Sequence, residues 1–231
     1  MHNLSIRALE EEQMDSVDLP DADYAAALQG LGRVNIATLA VRPTLDFLCR
    51  AARRDRPFRL LDVGFGDGGM LRSIYRWSRR NGLLCELTGI DLNSRSKAVA
   101  RALHPAGAPI LYRSGDYADL AHEPWDFIVS SLVTHHMSDA ERHAFLLFME
   151  RHATRGWFIN DLHRHGLAYR SFPLLARLLR VHPIVREDGQ LSIARSFRPA
   201  EWRAMLAAAD LTSVAHVRRY FPFRLCVERR R

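Results

Sequence analysis

With 231 residues and 48% apolar side chains the chain is long enough for one sizeable core, and no apolar run reaches the roughly 18 to 20 residues a membrane helix needs. The formal net charge of +7 rests almost wholly on arginine, with Lys97 the single lysine, and reads as a solvated basic surface rather than a nucleic-acid groove. Cys49, Cys85 and Cys226 have neither metal-like nor redox-like spacing, and the N-terminal stretch is mixed and acidic, so a cytoplasmic protein with reduced thiols and no secretory signal is expected, as monomer or homodimer.

Residues 1–20 carry a charged run ending at Pro20 and read as a flexible arm. Residues 21–56 turn helical, with Asp21 or Asp23 as N-cap and a break near Gly30 and Gly32. "FRLLDVGFG" is an apolar run closed by glycines, the form of a buried parallel strand, and the helix that follows ends at Gly82. "LLCELTGIDL", "PILYRSGDY", "WDFIVSSLV" and "RGWFINDL" repeat the strand pattern. Helices separate them, one of them capped by Ser138. Such alternation predicts right-handed crossovers and a parallel sheet covered on both faces.

The core thus spans 57–162. An apolar, arginine-studded insertion at 163–195 breaks the spacing, and 196–231 supplies a helix opened by Pro199 and two strands. The two strands, "TSVAHVRRY" and "FPFRLCVERR", have almost no loop between them and must be antiparallel. Residues 21–231 therefore read as a single α/β domain of Rossmann-like, doubly wound type.

The loop in "LLDVGFGDGG" fits two glycine patterns, one ending at Gly69 for a dinucleotide and one at Gly68 for a methyl donor. Asp62 separates them. A carboxylate just before the loop repels a pyrophosphate but attracts the ammonium group of a sulfonium amino acid. Gly64, Gly66 and Gly68 then let the backbone pass close beneath that ligand. Asp91 ends the second strand and can accept both ribose hydroxyls, Asp116 can accept from an adenine amino group, and Tyr117 can cover the ring. Phe65, Leu92, Ser130 and Ser131 complete the expected cofactor-facing set.

On "LLDVGFGDGG", "LTGIDLN", "RSGDY" and "PWDFIVSSLVTHHMSD" the chain, from about Arg59 onward, resembles the class I S-adenosylmethionine-dependent methyltransferases. The resemblance implies a seven-stranded, mostly parallel sheet with an antiparallel C-terminal hairpin, S-adenosyl-L-methionine as cofactor and S-adenosyl-L-homocysteine as product. "FINDLHRHGLAYRSF" is similar to small-molecule methyltransferases found beside polyketide-type pathways. "HMSD" is similar to the segment after the catalytic histidine of plant-type small-molecule O-methyltransferases, one residue shorter.

The expected reaction is O-methylation of a phenol- or quinol-like acceptor with a histidine taking the proton. His135 and His136 follow the fourth strand, and because neighbours in an extended segment point apart, one of them, His136, is expected to reach the acceptor. His163 and Asp161 at the end of the fifth strand are the second candidates. Leu167, Phe172, Leu174, Leu175, Leu178 and Leu179 are candidates to line an apolar acceptor pocket, with Arg170, Arg177 and Arg180 facing water. The N-terminal helices are expected to close the other side, where Asn35 can touch either ligand.

Asp126, Asn160 and Asp161 are too few for a catechol-type metal site, so no metal is expected. "SSLVTHH" stands where a nucleic-acid amino-methyltransferase carries Asp/Asn-Pro-Pro-Tyr, and no cysteine lies there for base C5-methylation. The rival readings are C-methylation of quinone type and a non-catalytic binding module that keeps the cofactor fold.

Overall fold

The computed structural model describes residues 2–53 and 55–231. One sheet is built from β1 (Phe58–Val63), β2 (Cys85–Asp91), β3 (Ile110–Ser114), β4 (Trp125–Ser131), β5 (Ala153–Leu162), β6 (His216–Tyr220) and β7 (Arg224–Arg230), in the order β3-β2-β1-β4-β5-β7-β6. β1 to β5 are parallel; β7 runs antiparallel to both β5 and β6. The seven-stranded sheet and its C-terminal hairpin are those expected. The helices are α1 (Asp21–Ala37), α2 (Arg42–Ala51), α3 (Gly69–Arg80), α4 (Ser94–Ala102), α5 (Asp139–His152), α6 (Gly166–Leu178), α7 (Pro183–Arg195) and α8 (Pro199–Ala208). None of them is long and apolar enough to cross a membrane.

The strands read as apolar runs because both faces are covered. Alternate residues sort onto opposite faces. Leu60, Phe127, Val129 and Phe158 join Phe47 and Leu48 of α2 and Leu71 and Ile74 of α3. Leu61, Val63, Ile128, Trp157 and Ile159 join Phe145, Leu146 and Met149 of α5 and Trp202 and Leu206 of α8. Each fully buried side chain of this size contributes about 1.5–3 kcal/mol against exposure. Chain order reverses beside β1, which lies between β2 and β4, so a crevice opens at the carboxyl end of β1.

Several expectations fail here. α1 runs unbroken through Gly30 and Gly32. Gly30 is small because a Cβ there would stand 3.3 Å from Val185 Cγ2 and 3.5 Å from Val181 Cβ, so the glycine marks a close crossing and not a break. The helix N-cap is Pro20, without a side-chain bond; Asp21 and Asp23 lie in its first turn, where the helix dipole favours them. The arm is not loose. The backbone N–H groups of Gln13 and Met14 donate to the two oxygens of Asp188 (3.0 and 2.9 Å), and Glu12 and Met14 are buried. The insertion holds two helices rather than one covering segment. α7 escaped notice because Asp188, Ser192 and Arg195 are buried along it beside Val185 and Ile193, which erases any amphipathic stripe.

α1, the arm and α6–α7 share one apolar cluster, so the N-terminal helix and the insertion form a common roof over the sheet's carboxyl edge instead of closing opposite sides. Pro173 inside α6 leaves the Tyr169 carbonyl without its helical donor, and Gln190 Nε2 of α7 supplies one at 3.1 Å. Leu167, Leu174 and Leu178, expected to line a pocket, are exposed at 60, 73 and 77%. Of the expected residues Phe172 and Leu175 do line one, beside Ala168 and Ser171 of α6, while Leu179 packs into the roof's apolar cluster.

Ser138 opens α5 with a full capping box, its Oγ accepting from the Glu141 N–H (3.3 Å) while its own N–H donates to Glu141 Oε2 (2.7 Å). Ser138→Ala is expected to lower the unfolding free energy by about 1 kcal/mol in urea titration, with an unchanged slope; a loss under a few tenths would mean that packing alone fixes this helix start.

Candidate functional site

Two cavities open under the roof. A cleft of about 740 Å³ lies over the glycine loop, lined by Asp62, Gly64, Phe65, Gly66, Ser131 and residues of α1 and α3. Gly64, Gly66 and Gly68 take φ of 76°, 54° and 75°, so the left-handed positions pick out the pattern ending at Gly68; Gly69 already belongs to α3. A Cβ on Gly64 would stand 2.2 Å from Val133 Cγ2. The loop is closed against the segment after β4.

Asp62 is 1% exposed and neither carboxylate oxygen has a hydrogen-bond partner. Burial, with Asp91 and Asp67 nearby, pushes its pKa up to about 8. An orphaned buried carboxylate facing a cleft fits a cationic ligand group. Asp91 accepts from the N–H groups of Gly66 and Asn93 (both 2.9 Å), which fixes it at the loop with lone pairs to spare. Burial raises its pKa against those bonds.

The remaining expected cofactor residues separate. Asp116 is exposed and caps the following turn through the Ala118 N–H (2.9 Å). The Tyr117 ring packs on Phe145 and Phe148, with centroids 4.9 and 4.8 Å away. Leu92 is 80% exposed. Ser130 is turned into the sheet, its hydroxyl donating to the Val63 carbonyl (2.9 Å). None of these four side chains lines the cleft, whereas Arg33, Arg72 and Arg76, which no motif marked, do.

The second cavity, of about 310 Å³, lies over β4, β5 and β7, and His135, His136 and His163 all line it. The segment after β4 is a turn and not an extended strand: the His136 N–H donates to the Val133 carbonyl (2.9 Å) and the two imidazoles sit 4.3 Å apart on the same side. The expectation of one histidine pointing away is therefore corrected by the local backbone.

Asp161 is fully buried and accepts from the side chain of Thr134, from the His135 N–H (3.2 Å) and from the Leu162 N–H (2.7 Å). His135 Nδ1 lies 2.7 Å from Asp161 Oδ1. Burial would raise the Asp161 pKa, but His135 and these hydrogen bonds outweigh it and hold it at about 2. An ionised Asp161 accepts the proton of His135 Nδ1 in this contact, which leaves Nε2 as the ring nitrogen turned away from the acid. His136 Nδ1 is held in the same way by Asp15 Oδ2 at 2.9 Å.

Both Nε2 atoms turn toward Glu12, at 3.6 and 3.9 Å. Burial raises Glu12 to about 7, against the opposing pull of His136, Ser192 and Arg195. Glu12, His135 and His136 bring donor atoms within 4.8 Å of one another, a spacing that would also suit a small cation. Arg195 Nη1 already stands 3.7 Å from both Glu12 and Asp15, so a fixed positive charge serves these acids. His163 sits elsewhere on the cavity wall. Burial, then Arg219, His165 and other cations, lower it to about 4, so its imidazole is neutral at neutral pH.

Leu31, Asn35 and Leu132 line both cavities. The two spaces share that wall, and Asn35 stands where the sequence suggested. Asn160 does not face either space: its amide donates to the Ala40 carbonyl (2.7 Å) and Thr44 Oγ1 (3.2 Å), pinning the corner between α1 and α2. Glu12, Asp15 and Arg195 lay in a charged arm and an unmarked helix, and no spacing in the sequence announced them.

The methyltransferase domain family matches residues 60–156, from within β1 to within β5. No curated protein matches the chain by sequence. Among solved structures, the plantazolicin methyltransferase in complex with SAH superposes with a TM-score of 0.58 at 14% identity, covering 94% of this chain and 88% of that one. Magnesium protoporphyrin IX methyltransferase from Synechocystis PCC 6803 with bound SAM gives 0.52 at 13% identity, over 95% and 88%. A SAM dependent methyltransferase from Aquifex aeolicus gives 0.51 at 18%, over 74% and 81%. At these identities the likeness is one of fold.

Asp62 carries a clear consequence for stability. Its folded pKa is raised, so its favourable contribution is complete below the ordinary carboxylate range and is lost as pH rises toward about 8. Asp62→Asn is expected to raise the Tm of the ligand-free protein at mildly alkaline pH, by about 2–4 °C for each kcal/mol relieved, and to leave it nearly unchanged in acid. Scanning calorimetry at the two pH values measures this, and an unchanged or lower alkaline Tm would mean that the carboxylate is already compensated.

Proposed function

We propose that the chain is a class I S-adenosylmethionine-dependent methyltransferase and that it methylates a hydroxyl of a small, largely apolar acceptor bound in the histidine-lined cavity. The observation that carries this reading is the wall shared by the glycine-loop cleft and that cavity at Leu31, Asn35 and Leu132. It supports two ligands lying side by side, as direct transfer between them demands. S-adenosylmethionine, when bound, supplies an electrophilic methyl group on a cationic sulfur.

Asp62 in the cleft and Asp91 beside its glycine loop each have a task on this reading. Asp62 neutralises the ammonium end of the cofactor and so loses the penalty of its own burial. Asp91, steadied by two backbone N–H groups, accepts the ribose hydroxyls. The bare backbone at Gly64, Gly66 and Gly68 permits close approach. In the cavity the Asp161–His135 pair takes the acceptor's proton at Nε2, Asp161 fixing the tautomer and stabilising the imidazolium that forms. His136, held by Asp15, is the second base within reach, and Glu12 lies where a proton from either imidazole can be shared.

A neutral His163, also lining the cavity, remains a hydrogen-bonding partner for the acceptor rather than a base. The roof of α1, α6, α7 and the arm excludes water from the transfer point. The free thiols, with Cys49 exposed, Cys85 half-buried and Cys226 buried, support a reducing, cytoplasmic setting.

Asp91→Ala should weaken S-adenosylmethionine by about 1–3 kcal/mol in calorimetry through loss of charge-assisted bonds; unchanged affinity would take the ribose away from this residue. His135→Ala and Asp161→Asn should each lower turnover by roughly 10²-fold or more with cofactor affinity nearly intact. His136→Ala should cost less. Wild-type turnover in the His135 variant would move the base to His136, and cofactor binding without transfer to any phenol or quinol would favour the binding-module reading.

A further inference from the structure

Four arginines are buried among the described residues: Arg142, Arg164, Arg195 and Arg224. Three have carboxylates. Arg142 meets Asp139, Arg164 meets Glu201 (2.7 Å), and Arg195 lies 3.7 Å from Glu12 and from Asp15. Arg224 is different. It is 3% exposed and opens β7, and its guanidinium contacts are long ones from Nη2 to Asn35 Oδ1 (3.5 Å) and Thr38 Oγ1 (3.3 Å). Nη1 has no hydrogen-bond partner among the described residues.

Arginine keeps its charge in proteins, and an uncompensated buried cation is strongly destabilising. The C-terminal turn of α1, where Asn35 and Thr38 lie, offers the negative end of a helix dipole, which offsets part of that cost. It does not occupy Nη1. The residue lines the 310 Å³ cavity, and its partner Asn35 belongs to the wall shared with the cofactor cleft. The unmatched positive charge therefore stands close to the point where methyl transfer takes place, in a chamber whose carboxylates, Glu12 and Asp188, are engaged by Ser192 and by the arm's backbone.

We propose that Arg224 is the anion-binding residue of the acceptor cavity, and that the acceptor presents an anionic oxygen to it: a ring carboxylate, or the hydroxyl to be methylated in its ionised form. The inference rests on the reading of this cavity as the acceptor site and deepens it by naming the acceptor's charge. The cavity volume suits a one- or two-ring aromatic compound. A guanidinium beside the hydroxyl would also lower the proton's affinity for that oxygen, easing the task of His135.

The test is a binding comparison on the protein saturated with S-adenosylhomocysteine. Para-hydroxybenzoate is titrated against its methyl ester, and para-nitrophenol is titrated below and above its own pKa. If the acceptor is a carboxylate, the acid binds roughly tenfold or more tightly than the ester. If it is an ionised hydroxyl, nitrophenol binding strengthens by a similar factor on ionisation while acid and ester stay alike. In either case Arg224→Met abolishes the preference and Arg224→Lys keeps its direction at reduced size.

Equal binding of each pair by the wild type, a preference that survives in the methionine variant, or no binding of any probe overturns the proposal. Should the methionine variant fail to fold, the wild-type comparison and the lysine variant still decide. Titration of S-adenosylmethionine on the same samples keeps the two readings apart. A protein that ignores the cofactor but prefers the anionic probes loses the methyl-transfer reading and retains the anion site.

Discussion

An ionised carboxylate sealed at the carboxyl end of β5 governs the histidine-lined cavity of this molecule. Asp161 survives as an anion in the sheet because Thr134, two backbone N–H groups and His135 satisfy it. That satisfaction has a directional consequence. The imidazole must present its proton to Asp161, so its other nitrogen faces the cavity as a base. The tight turn after β4 that brings the Thr134 hydroxyl and the His135 N–H to Asp161 also turns His136 to the same side. A two-histidine wall follows from hydrogen-bond saturation of one buried acid.

Among the described residues, two other buried acidic or basic side chains have unpartnered atoms and no ion pair, and both line empty volume. Asp62 leaves both oxygens without a partner at the glycine loop, and Arg224 leaves Nη1 without one in the neighbouring cavity. Other buried charges, such as Asp161, Asp188 and Arg164, are matched by side chains or backbone. A fold tolerates such costs where a ligand removes them. One is an acid and the other a base. The shared wall at Leu31, Asn35 and Leu132 separates the two by a single layer of side chains. Leu132 takes a φ of 63°, an uncommon conformation for a leucine, at that position.

The sheet was legible in the sequence because burial on both faces leaves continuous apolar runs, and the glycine loop was legible because left-handed backbone demands glycine. Asp62 and Asp91 stand at consecutive strand ends for the same reason that the crevice exists: both follow from strand order. Asp116 and Tyr117 show where this reasoning stops. A strand-end position is necessary for facing the cleft but does not fix side-chain direction, and here the turn's own N–H and the Phe145–Phe148 cluster claim them. The break placed at Gly30 failed similarly, since a glycine required for close helix crossing looks in sequence like one required for a turn.

What stayed hidden was long-range. Glu12 and Asp15 reach the histidines across more than a hundred residues of chain, and they get there because Asp188 of α7 captures two backbone N–H groups of the arm. α7 hid because its buried residues are polar, and they are polar because they hold the arm. The site's acidic partners and the helix that places them are thus one solution to one problem: covering the sheet's carboxyl edge with chain that can still carry charge. A purely apolar roof would bury the same area and exclude water equally well. It would leave His136 without Asp15 and both imidazoles without Glu12.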